Sequence, residues 1–310
     1  MSVTVVGSIA FDAVTTPSGE RERMLGGAAT HFALAASFFD RVHVVGPVGD
    51  DFGEDDLAAL ATRGTNVDDV ERVAGGRTFF WRGRYGHDLN ARETLDTQLN
   101  VFAGFEPKLS PASRDCDVLF LANIQPTLQR QVREQCAVAR FVALDSMNLW
   151  IGTAREELLD VIRMVDCLLL NDAELRELTG RPNVLAAARD VLGWGPSVIV
   201  VKRGEHGAVL VTPESCFALP AYPLETVVDP TGAGDTFAGG LLGYISRRLD
   251  RAFEGDVLRQ AMAYGTALAS FNVEAFGTER VARLTEEEAH GRVAELRDLT
   301  AFGPVDRVAP

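Results

Sequence analysis

Short apolar, β-branched runs alternate with longer amphipathic segments along almost the whole chain. The runs Val3–Gly7, Val42–Val48, Val118–Asn123, Phe141–Asp145, Cys167–Asn171, Ser197–Lys202 and Ala208–Thr212 predict strands. Most are continuously apolar rather than alternating, the pattern of a strand buried on both faces. Helical spacing between them predicts helices at Ala28–Phe39, Gly53–Arg63, Thr127–Arg140, Thr153–Met164, Asp172–Thr179 and Asn183–Gly193. Two more follow at Gly234–Leu249 and Asp256–Phe271, then a polar one within Thr285–Arg297. This order implies βαβ units, and so an α/β fold with a mostly parallel central sheet and helices on both faces.

Residues 75–105 break the rhythm. Phe79, Trp81 and Tyr85 fall on odd positions and Thr78, Arg82 and Arg84 on even ones, with glycines between. That period of two predicts a small antiparallel sheet, joined by residues 11–25 and standing apart from the main one. It is either a flap that closes over a site or an ordinary edge hairpin. Its aromatic side chains could stack on a nucleobase or a sugar's apolar face, or seal the flap's own small core. The chain then reads as a single domain, 1–310, with a β lid formed from about 11–25 and 75–105.

Composition narrows the function. Of 310 residues, 46% are apolar, which supports a buried core and not a disordered chain. With 44 acidic and 30 basic residues the formal charge is −14, and such a surface repels phosphate backbones, so no nucleic-acid partner is expected. A local anion site made from backbone N–H groups is still compatible with that charge. The basic residues are nearly all arginine, Lys108 and Lys202 being the only lysines. Cys116, Cys136, Cys167 and Cys216 have no C-x-x-C spacing, and the five histidines show no metal-ligand rhythm. Reduced, mostly core-filling thiols are therefore expected, and neither structural zinc nor a disulfide scaffold. No basic leader and no apolar run of 18 residues is present, which points to a cytoplasmic protein without membrane spans.

The densest chemical signal is VVDPTGAGDTFAGGLLGYI, residues 227–245. Asp229-Pro230 favours an extended or turning backbone, and Gly232-Ala233-Gly234 permits a tight turn with exposed N–H groups. A helix then starts at Asp235. A glycine turn on a helix N-terminus favours anions through oriented amides and the helix dipole. From spacing alone Asp235 is either a cap for that helix or a base that takes a proton from a hydroxyl while the amides hold developing phosphoryl charge.

The run DPTGAGD resembles the C-terminal signature of the ribokinase-like (PfkB) family of ATP-dependent sugar and nucleoside kinases. The resemblance extends to GSIAFD at residues 7–12, LGGAATHFALAA at 25–36, VGPVGDDFGEDDLAAL at 45–60, NDAE at 171–174 and VKRGEHGAVL at 201–210. It implies a ribokinase-like three-layer α/β/α fold with a small β-sheet lid. By resemblance Asp235 would be the catalytic base, with Gly232, Ala233 and Gly234 supplying the anion hole. Asn171 and Glu174 would order Mg²⁺ and its waters; their spacing alone is equally that of a helix cap with a first-turn acid. Asp12 would hold acceptor hydroxyls, with Gly26 and Gly27 giving close backbone approach. Asp145 and Asn148, just past another strand, could face the same site, although the family's D-x-N spacing appears here as D-S-M-N. Lys202, Arg203 and Gly204 would lie near the ATP phosphates or ribose, and Asn272, in ASFNVEAFG, would border the adenine. His31 departs from the pattern: many relatives carry Asn at that position, contacting the sugar, and an imidazole there either reaches an acceptor hydroxyl or faces the core.

These residues together predict an ATP- and Mg²⁺-dependent phosphotransferase acting on an alcohol group of a small sugar-like metabolite, with a nucleoside as the alternative acceptor. A non-catalytic sugar or nucleotide sensor on the same fold is the rival reading. Neither GxGxxG after the first strand nor GxxxxGK[ST] occurs, so a dinucleotide oxidoreductase and a P-loop enzyme lack support. A homodimer through the lid edge is a further possibility, because an unpaired strand edge invites pairing.

Overall fold

The computed structural model describes residues 1–303. Among the described residues thirteen strands form: β1 Ser2–Val6, β2 Ala10–Thr16, β3 Gly19–Gly26, β4 Arg41–Val48, β5 Asn66–Arg72, β6 Phe79–Tyr85, β7 Arg92–Gln98, β8 Val118–Leu121, β9 Phe141–Asp145, β10 Cys167–Asn171, β11 Val198–Lys202, β12 Ala208–Val211 and β13 Cys216–Leu219. Nine of them form the main sheet in the order β13-β12-β11-β10-β9-β8-β1-β4-β5. Neighbours from β11 to β5 pair in parallel, and β12 and β13 add an antiparallel edge.

The continuous apolar runs are explained by burial on both faces. Val3, Val5, Phe120, Cys167 and Leu169 enter one core cluster, while Val6, Leu119, Leu121, Leu168 and Leu170 enter the other. The first cluster is capped by helices Ala28–Ala36, Ala233–Ser246 and Gly255–Asn272. The second is capped by Pro126–Gln135, Arg155–Ile162, Asp172–Thr179 and Val184–Leu192. Helices Ala28–Ala36 and Ala233–Ser246 pack backbone to backbone: a side chain at Gly239 would collide with Phe32 O. That contact fixes His31 and Asp235, one on each helix, relative to each other.

β2, β3, β6 and β7 form the smaller sheet, in the order β3-β2-β6-β7. Its pieces come from the two segments expected to make a lid. Asp12 lies on β2, directly after β1 and within the expected lid, where the register slips between Asp12 and Val14. A bulge of this kind re-aims a side chain. β5 and β13 were not expected, because both are largely polar or exposed edge strands with little apolar signal. Cys116, Cys136 and Cys167 are buried and Cys216 is exposed, all four as free thiols. No helix among the described residues is long and apolar enough to cross a membrane.

Candidate active site

Parallel strands gather chemistry at their carboxyl ends. Asp145 closes β9, Asn171 closes β10 and Lys202 closes β11, and the register sets Asn171 directly beside Lys202. Lys202 Nζ donates to Asp145 Oδ2 at 2.7 Å, and Asp145 Oδ1 accepts from Ser146 N at 2.8 Å. Asp145 was expected to face the acceptor. One oxygen is paired with Lys202 and the other accepts from the neighbouring Ser146 amide. Burial works against the Lys202 ammonium, yet the carboxylates of Asp145, Glu174 and Asp235 hold its pKa above the ordinary lysine value.

Lys202 also reaches the glycine turn: a Cβ on Gly234 would lie 3.2 Å from Lys202 Nζ. Gly232 takes φ 74°, a left-handed conformation open to glycine at little cost. The N–H groups of Gly232 and Gly234 make no hydrogen bond among the described residues, whereas Ala233 N donates to Pro230 O at 3.3 Å. Two of the three expected amides are thus uncommitted, and the third is shared with its own turn. Asp235 sits in the first turn of the helix, partly buried. Burial first, then the Asp145 carboxylate, raises its pKa to about 7, against the pull of Lys202 and Arg92.

Asp12 lies opposite, on the lid strand, and is 4% exposed. Its carboxylate occupies the space where Gly26 lacks a side chain. Burial first, then Asp229, raises its pKa to about 7; the charge of Asp235 adds to the effect, which places the two acids within each other's field.

Asn171 and Glu174 form a reciprocal capping box. Asn171 Oδ1 accepts from Glu174 N, and Glu174 Oε2 accepts from Asn171 N, both at 2.8 Å. The pair therefore serves as a helix cap, and of its carboxylate only Oε1 is uncommitted. Burial first, then Asp145, raises the Glu174 pKa to about 7. Among the described residues no group of three or more His, Cys, Asp or Glu side chains could hold a metal by itself. One buried carboxylate oxygen near Asp145 fits a Mg²⁺ held mainly by phosphates and water, the usual habit of that ion.

Two expected contacts turn inward. His31 is 2% exposed and its ring lies against Gly232, so that any side chain there would strike the imidazole. Asn272 is fully buried: its Nδ2 donates to Thr231 O at 2.7 Å, and its Oδ1 accepts from Thr236 Oγ1 at 3.0 Å and from His31 Nδ1 at 3.0 Å. Fully buried and engaged through both side-chain polar atoms, Asn272 braces the glycine turn instead of lying open toward an adenine. Burial holds the His31 pKa below its ordinary value, and Nε2 is buried without a hydrogen-bond partner among the described residues.

Further residues join the site, among them Thr231, Asn90 and Glu205, which the sequence reading did not single out. Asp229 is fully buried and accepts from Thr231 N and Gly277 N, tying the turn to a distant loop. Its place inside DPTGAGD was its only signal. Thr231 Oγ1 donates to Tyr85 OH at 3.2 Å, so a lid aromatic touches the turn. Trp81 is paired with Asp12 across β2 and β6, which sets it on the same face of the lid. Gly204 and Glu205, on the β11–β12 turn, meet the lid residue Asn90, whose Nδ2 donates to Glu205 Oε1 at 3.1 Å.

The sequence profile of the pfkB carbohydrate kinases matches residues 2–283. The cytidine kinase of Thermococcus kodakarensis is 31% identical over 255 residues, 80% of this chain and 89% of that protein. The deoxyribokinase of Salmonella typhi is 27% identical over 309 residues, 90% of this chain and 94% of that protein. In shape the chain is similar to the nucleoside kinase of Burkholderia thailandensis in complex with ADP-inosine, with a TM-score of 0.76 at 19% identity, covering 99% of this chain and 100% of that one.

Proposed function

This chain belongs to the pfkB family of carbohydrate kinases, and from that premise we propose that it transfers a phosphoryl group from ATP to a hydroxyl of a small sugar-like acceptor. The observation that supports the reading is the placement of Lys202 against the Gly232–Gly234 turn that leads into Asp235, with Asp12 on the lid strand within the field of Asp235.

Asp12 holds acceptor hydroxyls and so aims one of them at Asp235. With a pKa of about 7, Asp235 is matched to proton transfer near neutral pH. It removes the proton from that hydroxyl as the oxygen attacks. The free N–H groups of Gly232 and Gly234 and the positive end of their helix meet the negative charge of the moving phosphoryl group. Lys202, steered by Asp145, adds a fixed positive charge beside the turn. Asn171 and Glu174 would hold the hydrated Mg²⁺, which when bound offsets the charge of the ATP phosphates. The lid excludes water, which suppresses hydrolysis of ATP.

The acceptor carries a ribose-like polyol, either free or within a nucleoside. Trp81 on the Asp12 face and the likeness to a cytidine kinase favour the nucleoside. ADP release measured against matched panels of free sugars and nucleosides separates the two. A panel that yields no ADP above the acceptor-free rate removes the kinase reading.

A further inference from the structure

Asp145 steers Lys202, and the place of Asp145 rests in turn on a side chain that no step above uses. Gln129 lies on the helix Pro126–Gln135, against the second core cluster, and is fully buried. Its Nε2 lies 2.8 Å from Ala122 O, 2.9 Å from Asp145 O and 3.4 Å from Leu121 O, so its two N–H groups serve carbonyls at the carboxyl ends of both β8 and β9. The contact falls where the ladder between these strands stops, at Leu121 beside Leu144. On its other side Asp145 still pairs with Leu169 of β10. The Gln129 amide thus stands in for the rung that β8 and β9 lack. A second tie lies one residue beyond Ala122, where Trp150 Nε1 donates to Asn123 Oδ1 at 3.0 Å. Gln129 Oε1 is buried without a hydrogen-bond partner among the described residues, which costs stability. An apolar residue of the same length would anchor the helix to the sheet without that cost, so what the amide adds is the tie between the two strand ends.

We infer that Gln129 is a positioning residue: by fixing the Asp145 backbone at the end of β9 it holds the Asp145 carboxylate against Lys202, and so holds the Lys202 ammonium beside the Gly232–Gly234 turn. The phosphate-facing role of Lys202 rests on the kinase reading; the tie from Gln129 through Asp145 to Lys202 does not. The groups that face the ammonium are the carboxylates of Asp145 on β9, Glu174 on the helix after β10 and Asp235 on the helix after the turn. Of these, Asp145 alone is hydrogen-bonded to it among the described residues. Without the Gln129 tie the end of β9 is free to move away from Lys202. Burial then weighs more on the ammonium, which gives up its proton at lower pH. A fixed charge beside the anion turn also becomes a mobile one, and reactions of this kind depend on such placement.

The test uses the rarity of lysine in this chain, where the exposed Lys108 is the only other one. Labelling with acetic anhydride across alkaline pH, read residue by residue by mass spectrometry, gives the titration midpoint of Lys202, with Lys108 as the internal reference. Gln129→Met keeps the length and loses the donors. It should lower the Lys202 midpoint by about one unit, a tenfold rise in free amine at a given pH. Asp145→Asn should lower it too, and adding Gln129→Met to Asp145→Asn should bring no further shift, because the two act in series. Steady-state kinetics of Gln129→Met with the best acceptor should show kcat lowered about tenfold or more, with acceptor KM near the parent value. If Gln129→Met does not fold, Gln129→Asn, one methylene short of the strand ends, should show the same shift. An unchanged Lys202 midpoint, or a further shift on the Asp145→Asn background, overturns the tie. A shifted midpoint with parent-like kcat overturns its part in the reaction. If the parent protein turns over no acceptor, the kinase reading fails alone and the Lys202 midpoint still decides the role of Gln129.

Discussion

Replacing Asp235 with Asn should make the protein more stable while it loses activity. In the folded chain the acid has a pKa of about 7 against 3.8 for the free side chain, because burial and Asp145 penalise its charge. The sign follows from proton counting: between those two values the folded state holds a proton that the unfolded state has released. This contribution is therefore complete below pH 3.8 and is lost as pH rises through 7. From pH 5 to pH 7 the parent protein loses about 1.4 kcal/mol per pH unit at this group, roughly 2.7 kcal/mol in all, and the Asp235→Asn variant loses none. That is an upper figure, since Lys202 and Arg92 relax when the charge goes. For a chain of this length the unfolding entropy is about 0.65 kcal/mol/K, so the gain is at most about 4 °C. Thermal unfolding of both proteins at pH 5 and pH 8 reads it: Asp235→Asn should gain on the parent between the two. Turnover should meanwhile fall by about 10²–10⁴-fold, the range for a lost general base. A melting difference that is equal at both pH values, or that moves against the Asn variant at pH 8, refutes the burial argument. Parent-like turnover in the folded variant removes Asp235 from the chemistry.

Gly232→Ala should cost about 1–3 kcal/mol from the left-handed backbone alone, and more from the collision with the His31 ring. Chemical denaturation of Gly232→Ala, His31→Ala and the double variant should show the double losing less than the two singles added together. Lys202→Met leaves Asp145, whose side chain is 6% exposed, charged and unpaired, and should cost about 3–5 kcal/mol. Adding Asp145→Asn should return most of that loss in the same denaturation experiment, and an additive double variant would show that the pair is not coupled.

The parts legible in the sequence were those set by short-range rules. Continuous apolar runs such as Cys167–Asn171 announce strands buried on both sides, and a glycine turn followed by Asp235 announces a helix N-terminus whatever lies around it. The lid was visible in the alternation from Phe79 to Tyr85. What stayed hidden was which partner each polar group would choose, because that depends on elements distant in the chain. Asp145 turned toward Lys202, 57 residues on, because β9 and β11 flank β10 and Lys202, two residues beyond the level of Asp145, reaches it with its long side chain. Asn272 carried the right chemistry to meet a ligand, yet the close packing of Gly239 on Phe32 and of Gly265 on Phe237 draws its helix, His31 and Thr231 into one network. The Asn171–Glu174 box was one of two readings that spacing allowed, and the structure shows that cap. The contacts of the lid hairpin had no signal either: Tyr85 reaches the glycine turn and Asn90 the turn after β11. The same two contacts make the lid sensitive to both substrates at once: an acceptor under Trp81 and a nucleotide beside Gly204 would each press on one end of a single hairpin.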